Sequence, residues 1–169
     1  MKTAIIFLVI FALGITAISA QEKSKKQLKE EKKIEKQKQV EQMVNSKSFV
    51  FNAKTAMPTG YKTVNISTDS YRVKFLPEFI DSYLPYFGTA YSGVGYGGDT
   101  GLKFSGKPEE YTVTAGKKNY QVNAVVKGER DTFKIAVSVT FSGSASLTIT
   151  SNNRSTITYS GDISEVKEP

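Results

Sequence analysis

The sequence predicts an all-β domain, an antiparallel β-barrel or sandwich, behind an N-terminal α-helix. Three observations predict it. From Ser48 onward apolar residues recur at every second position, the period of a strand with one buried face. Turn-forming residues interrupt that pattern roughly every eight to twelve positions, the spacing of a sandwich or barrel. Before Ser48 the stretch Gln21 to Asn45 has neither Pro nor Gly and is dominated by Lys, Glu and Gln, a composition that favours helix.

The chain begins with a segment that reads as a secretory signal peptide, residues 1–20. Lys2 forms a short positive n-region, an apolar run follows from Ala4 to Ile18, and Ser19 and Ala20 precede Gln21. The run is short for a membrane span of roughly 20 apolar residues. Lys23, Lys25, Lys26 and Lys29 directly after it would favour retention of that side in the cytoplasm, so an uncleaved anchor is the rival reading. The chain has no Cys, so this is not a lipoprotein signal, and a cleaved product has neither a stable membrane span nor disulfides. The expected location is the periplasm or the exterior.

Residues 21–47 form a charged leader with nine Lys and five Glu. Glu22 and Lys26 stand at the four-residue spacing that supports an exposed helix. Leu28, Ile34, Val40, Met43 and Val44 are its sparse apolar residues, and Ile34 falls off the arc of the others. No heptad emerges. Only Val40, Met43, Val44 and the stem of Lys47 form a packing stripe, so the end of the leader is expected to dock on the domain and to cap or plug it. A spacer and a membrane-surface helix are the alternatives, and the second lacks the aromatic or Leu-rich face it needs.

Residues 48–169 form the β domain, of lipocalin-like size. Phe133, Ile135, Val137, Val139 and Phe141 share one face of the clearest strand. Ser142-Gly143-Ser144 then turns the chain into Ala145, Leu147 and Ile149. Asn152-Asn153 turns it again into Ile157, Tyr159 and Ile163. Earlier, Phe49, Phe51 and Ala53 alternate, as do Lys62, Val64 and Ile66 after Met57-Pro58-Thr59-Gly60, then Tyr71, Val73 and Phe75. Tyr111 with Val113, and Tyr120 with Val122, Ala124 and Val126, add two more. Strands with one apolar face must close on each other or on a helix.

Composition excludes several chemistries. The 169 residues carry 23 Lys plus Arg against 16 Asp plus Glu, a net charge of +7, with no Cys, His or Trp. Without His there is no serine triad of the usual kind, no His-containing zinc site and no His-ligated haem. Residues 48–169 hold thirteen basic and eleven acidic residues, so the domain is close to neutral. It has three Arg and no RNA-binding signature, and nucleic acid is not an expected partner. No calcium loop of the D-x-[DN]-x-[DN]-G type occurs, and no cofactor or metal is expected. Asp81 and Asp99 are the least implausible carboxylate pair for a hydrolase. No Ser or Thr has a visible base beside it. Asn65-Ile66-Ser67 and Asn153-Arg154-Ser155 match the glycosylation sequon, a frequent accident.

The most unusual stretch runs from Tyr83 to Phe104. Gly93, Gly95 and Gly98 formally satisfy G-x-G-x-x-G, but no helix follows, so a dinucleotide site is rejected. In a structural reading the glycines turn the chain and the aromatics pack onto the barrel mouth. In a functional reading the aromatics form a binding wall, each ring offering an apolar face and each Tyr a hydroxyl. Tyr83, Tyr86, Phe87, Tyr91, Tyr96 and Asp99 are the candidate ligand-binding residues.

Residues 44–163 resemble a family of exported domains of unknown function from Gram-negative bacteria. The resemblance rests on the Lys/Glu-rich leader ending in Val44-Asn45-Ser46-Lys47-Ser48-Phe49-Val50-Phe51-Asn52-Ala53 and on Ser82-Tyr83-Leu84-Pro85-Tyr86-Phe87-Gly88. Gly101-Leu102-Lys103-Phe104 and Gly143-Ser144-Ala145-Ser146-Leu147 continue it. The resemblance implies a compact β-rich domain behind a signal peptide and supplies no catalytic residue. The expected function is non-catalytic binding of a small apolar molecule, a peptide or a glycan. The alternative is an envelope protein–protein interaction module with a filled barrel, and the third reading is the carboxylate-dependent hydrolase.

Overall fold

The structure, a computed structural model, describes residues 2–91, 101–128 and 131–167, with side chains from residue 24 onward. The chain divides into two compact units, Met1–Lys36 and Gln37–Pro169. Helix α1 (Lys2–Asn45) makes up the first unit and contributes residues 37–45 to the second. From residue 24 to 36 every side chain is exposed, including Leu28 and Ile34, and the Lys33–Glu30 pair at 3.5 Å lies in solvent. Such a pair adds little stability. Among the described residues no helix is long and apolar enough to cross a membrane.

In the second unit Val40, Met43 and Val44 turn one helical face inward and are buried with the barrel core. The helix then ends in a Schellman arrangement: Ser48 N–H donates to Met43 O at 3.2 Å and Lys47 N–H to Val44 O at 3.3 Å. That motif needs a left-handed residue, usually Gly, and here Lys47 takes it with φ 56°. The strained position aims Lys47 Nζ at the Tyr111 ring, 4.8 Å from its centroid.

Ten strands follow: β1 (Phe49–Pro58), β2 (Val64–Asn65), β3 (Arg72–Leu76), β4 (Phe79–Leu84), β5 (Leu102–Gly106), β6 (Pro108–Ala115), β7 (Asn119–Lys127), β8 (Thr132–Thr140), β9 (Ser144–Ser151) and β10 (Ile157–Ser164). They form one antiparallel sheet in the order β5-β4-β3-β1-β10-β9-β8-β7-β6, with β2 on β1, curled into a nearly closed barrel. The two ends of that order, β5 and β6, are joined through Lys107 alone. Side chains near that junction reach other parts of the sheet. Phe104 of β5 stacks on Phe133 of β8 with centroids 4.0 Å apart, and Lys107 pairs with Glu78 of the β3–β4 turn at 2.6 Å. Lys107, and to a smaller extent Lys47, hold the Glu78 carboxyl below the usual carboxylate range.

The inward faces of the strands and the end of α1 form one apolar cluster, with Phe49, Phe51, Phe75, Leu147 and Tyr159 fully buried. The alternations expected for β7 to β10 hold, as do those of β3 and the first half of β1. Three features differ. The strand expected over Lys62 to Ile66 is only Val64–Asn65; Ile66 N–H still donates across to Lys54 O of β1 at 2.9 Å, but its carbonyl accepts from Asp69 N–H at 3.3 Å and the chain turns there. In β1 the register against β10 shifts between Ala53 and Thr55, so Ala56 is buried where simple alternation would place it outside. Strand β4 was hidden by its inward Ser82, which interrupts the apolar period. Buried, its hydroxyl donates to Leu102 O at 2.8 Å.

Candidate functional site

The candidate site is built on β3, β4 and the segment 85–91 that leaves β4 at one end of the barrel. Arg72 and Lys103 lie opposite Tyr83 on the two neighbouring strands. Tyr83 therefore stands on the outer face, 46% exposed, while its neighbours Ser82 and Leu84 point inward. The Tyr83 ring stacks on Tyr71, with centroids 5.6 Å apart and planes at 29°. Lys103 Nζ lies 4.7 Å from the Tyr83 centroid.

Beyond Leu84 the chain becomes a strap tied down at each step. Pro85 O accepts a hydrogen bond from the Tyr159 hydroxyl at 2.6 Å. Tyr86 is 8% exposed, and its hydroxyl donates to Thr89 O at 2.8 Å. Ser155 Oγ lies 2.9 Å from the same hydroxyl and accepts from Thr89 N–H at 3.1 Å. A Cβ on Gly88 would come within 2.5 Å of the Tyr86 hydroxyl and 2.6 Å of Ser155 Oγ. Only glycine leaves room for that network. Ser155 N–H donates to Thr89 O, and Tyr91 N–H to Asn153 O, both within 2.9 Å. The Arg154 guanidinium lies 5.2 Å from the Tyr86 centroid and donates to Gly101 O at 2.9 Å.

Between the Tyr71–Tyr83 pair and this strap lies a cleft of about 290 Å³ whose walls include Tyr71, Tyr83, Pro85, Tyr86, Phe87 and Lys103. That is close to the lower size of small-molecule sites, roughly 300 Å³. The candidate residues take different places. Tyr83 and Phe87, the latter 39% exposed, meet at the cleft with accessible rings. Tyr86 lines it with its ring while its hydroxyl is committed to the strap. Tyr91, 70% exposed, stands farther along the strap and is not part of the cleft wall. Tyr96 and Asp99 lie outside the described residues. Tyr71 and Lys103 were missed by reading the sequence. Their signal is the register, since a neighbour on an adjacent strand is invisible along the chain.

The carboxylates considered for a hydrolase do not converge where they are described. Asp81 accepts from Ser105 Oγ at 2.5 Å on the outer face of β4–β5. Asp131 accepts from Ser151 Oγ and from Thr132 and Asn152 N–H, and so holds the β9–β10 turn. Asp162 pairs with Lys54, and Glu109 with Lys127. Among the described residues no group of three or more Asp and Glu is placed to hold a metal.

This arrangement can be set beside known proteins. Residues 31–163 match the family described as Domain of unknown function (DUF4251). The chain belongs to the DUF4251 family. The crystal structure of a DUF4251 family protein from Bacteroides eggerthii DSM 20697 is similar in fold: TM-score 0.60, 18% identity, covering 77% of this chain and 87% of that one. No curated protein matches the chain. The match takes in the whole strap of this DUF4251 domain, from Tyr83 to Tyr91, together with Ser155 and Tyr159 that hold it.

Proposed function

We propose that this DUF4251 domain is an exported, non-catalytic binding domain that takes a ring of a glycan in the cleft between the Tyr71–Tyr83 pair and Phe87. The observation that carries this reading is the placement of two accessible aromatic side chains, Tyr83 and Phe87, on the wall of one cleft whose floor, Tyr86, is immobilised. A sugar ring has an apolar C–H face and a rim of hydroxyls. Aromatic rings cover the first, and the Tyr hydroxyls and Lys103 ammonium offer partners to the second. The Tyr83 ring is already stacked on Tyr71 and the Tyr86 hydroxyl is bonded, so these two rings lose little conformational entropy on binding.

The inward strand faces are apolar and belong to one buried cluster, which favours a site on the outside. The apolar cluster runs continuously from α1 through the strands, as it would also in an interaction module. The non-catalytic reading draws support from Asp81 and Asp131, whose oxygens hold turns and strand neighbours.

A printed array of neutral oligosaccharides, probed with the wild-type chain and with Tyr83→Ala, tests the proposal. Binding that drops by about tenfold or more in the variant, with the fold retained, is the expected result. Equal signals from both proteins would remove the cleft as the site.

A further inference from the structure

The exposed aromatics of the barrel do not stop at the cleft. Tyr61, in the turn after β1, is 60% exposed, and Tyr91 is 70% exposed. A surface Tyr ordinarily puts its polar tip into water and tucks its ring against the protein. Tyr61 has its hydroxyl bonded to Thr89 Oγ1 at 3.1 Å, and most of the residue stays in solvent. The bond ties the tip of Tyr61 to the strap while the residue stays largely accessible.

Thr89 is the hub of this end of the barrel. It lies two residues after Phe87 and two before Tyr91, and it also holds Tyr61 and Ser155. The turn that carries Tyr61 is itself knitted in, since Thr59 donates to Thr156 O through both N–H and Oγ1. Ala90 bridges to Arg154. Three accessible rings, Tyr61, Phe87 and Tyr91, therefore stand on one hydrogen-bonded platform. Phe87 and Tyr91 are four residues apart, a reach of at most about 13 Å along the chain. The same platform carries Thr59, Thr89, Asn152, Asn153 and Ser155, uncharged hydroxyls and amides, while its cation, Arg154, is turned onto the Tyr86 ring and Gly101 O. A protein partner would be met by a contiguous apolar centre. Here polar groups share the platform with the rings.

We infer that the binding path continues out of the cleft over this platform, and that the ligand is a neutral oligosaccharide of several units, with Tyr61 and Tyr91 supplying outer subsites. This inference rests on the cleft reading and extends it. The test uses the full exported chain and a matched length series, from two to six units, of the neutral oligosaccharide that gives the strongest array signal. Titration calorimetry is run on wild type, Tyr61→Ala, Tyr91→Ala and Tyr83→Ala. The expected result is an affinity that rises about tenfold with length in the wild type. Tyr61→Ala and Tyr91→Ala should keep disaccharide binding and lose the rise, and Tyr83→Ala should lose both. Affinity independent of length, or a normal rise in both outer variants, would overturn the extended path and leave the cleft standing. An array with no signal would overturn the cleft reading and the path together. Circular dichroism on each variant separates a lost subsite from a lost fold, and Tyr61→Phe, which keeps the ring and releases its tip, should fall between wild type and Tyr61→Ala.

Discussion

The Tyr159 hydroxyl donates to Pro85 O at 2.6 Å, joining a fully buried residue of β10 to the first residue of the strap that forms the cleft. The core and the candidate site thus share one hydrogen bond. Replacing Tyr159 by Phe keeps the ring and leaves Pro85 O without that donor. We expect a loss of about 1–3 kcal/mol in chemical denaturation and weaker glycan binding. A variant as stable as wild type would show that the strap is held by its Tyr86 end alone.

Tyr111 is the counterpart. Its hydroxyl is buried and finds no hydrogen-bond partner among the described residues. Tyr111→Phe removes a polar group that burial leaves uncompensated, so stability should stay level or rise by up to about 1 kcal/mol. A loss as large as that of Tyr159→Phe would mean that this hydroxyl is bonded in solution.

Both phenols have their pKa pushed up by burial, and at Tyr159 the neighbouring Tyr86 adds to the effect. The folded chain therefore holds these protons at pH values where the unfolded chain, with an ordinary value near 10, releases them. Their contribution to stability is fully present below about pH 10 and falls as pH rises above it, by up to roughly 1.4 kcal/mol per pH unit for each group. Denaturation midpoints measured on both sides of pH 10 should show the fall, and Tyr111→Phe should make it shallower. An unchanged slope in that variant would count against burial of Tyr111 as a cause.

Two glycines separate fold from site. A Cβ on Gly161 would overlap the Asn52 carbonyl oxygen, a backbone atom of the paired strand at the β1 irregularity. Gly161→Ala should cost about 3 kcal/mol or prevent folding. The Cβ of Gly88→Ala meets side-chain atoms, the Tyr86 and Ser155 hydroxyls, so the fold should survive with a loss of about 1–3 kcal/mol while cleft binding drops. Equal stability losses in the two variants would show that the strap is as rigid as the barrel.

The helix can be divided in the same way. Val40→Ala and Val44→Ala remove buried methyl groups and should cost about 1.5–3 kcal/mol each. Leu28→Ala and Ile34→Ala, at exposed positions, should change stability by less than about 0.5 kcal/mol. Denaturation midpoints that moved alike in all four would place the whole leader on the domain.

Much of the fold was legible along the chain because strand faces have a period of two. Phe133 to Phe141, Ala145 to Ile149 and Ile157 to Ile163 each announce an inner face, and all of them point into the core or pack against it. The docking end of the leader was legible for the same kind of reason, since Val40, Met43 and Val44 repeat at the helical spacing. Strand β4 was not, because its inward Ser82 is satisfied by Leu102 O, twenty residues away.

The sequence by itself determined the fold class, the charged helical leader and the loss of every chemistry that needs His or Cys, because these follow from composition and local periodicity. It also singled out the aromatic stretch around Tyr83-Leu84-Pro85-Tyr86-Phe87-Gly88. Which of those rings are exposed was decided only by the tertiary structure. Tyr83 and Tyr86 are both tyrosines in the same stretch, yet Tyr83 points outward between Arg72 and Lys103, while the Tyr86 hydroxyl is tied to Thr89 and lies against Ser155. The physical reason is pairing across strands. A side chain's partner is set by register and closure, and those place Tyr71 beside Tyr83 and Tyr159 beside Pro85 across separations that no local pattern encodes.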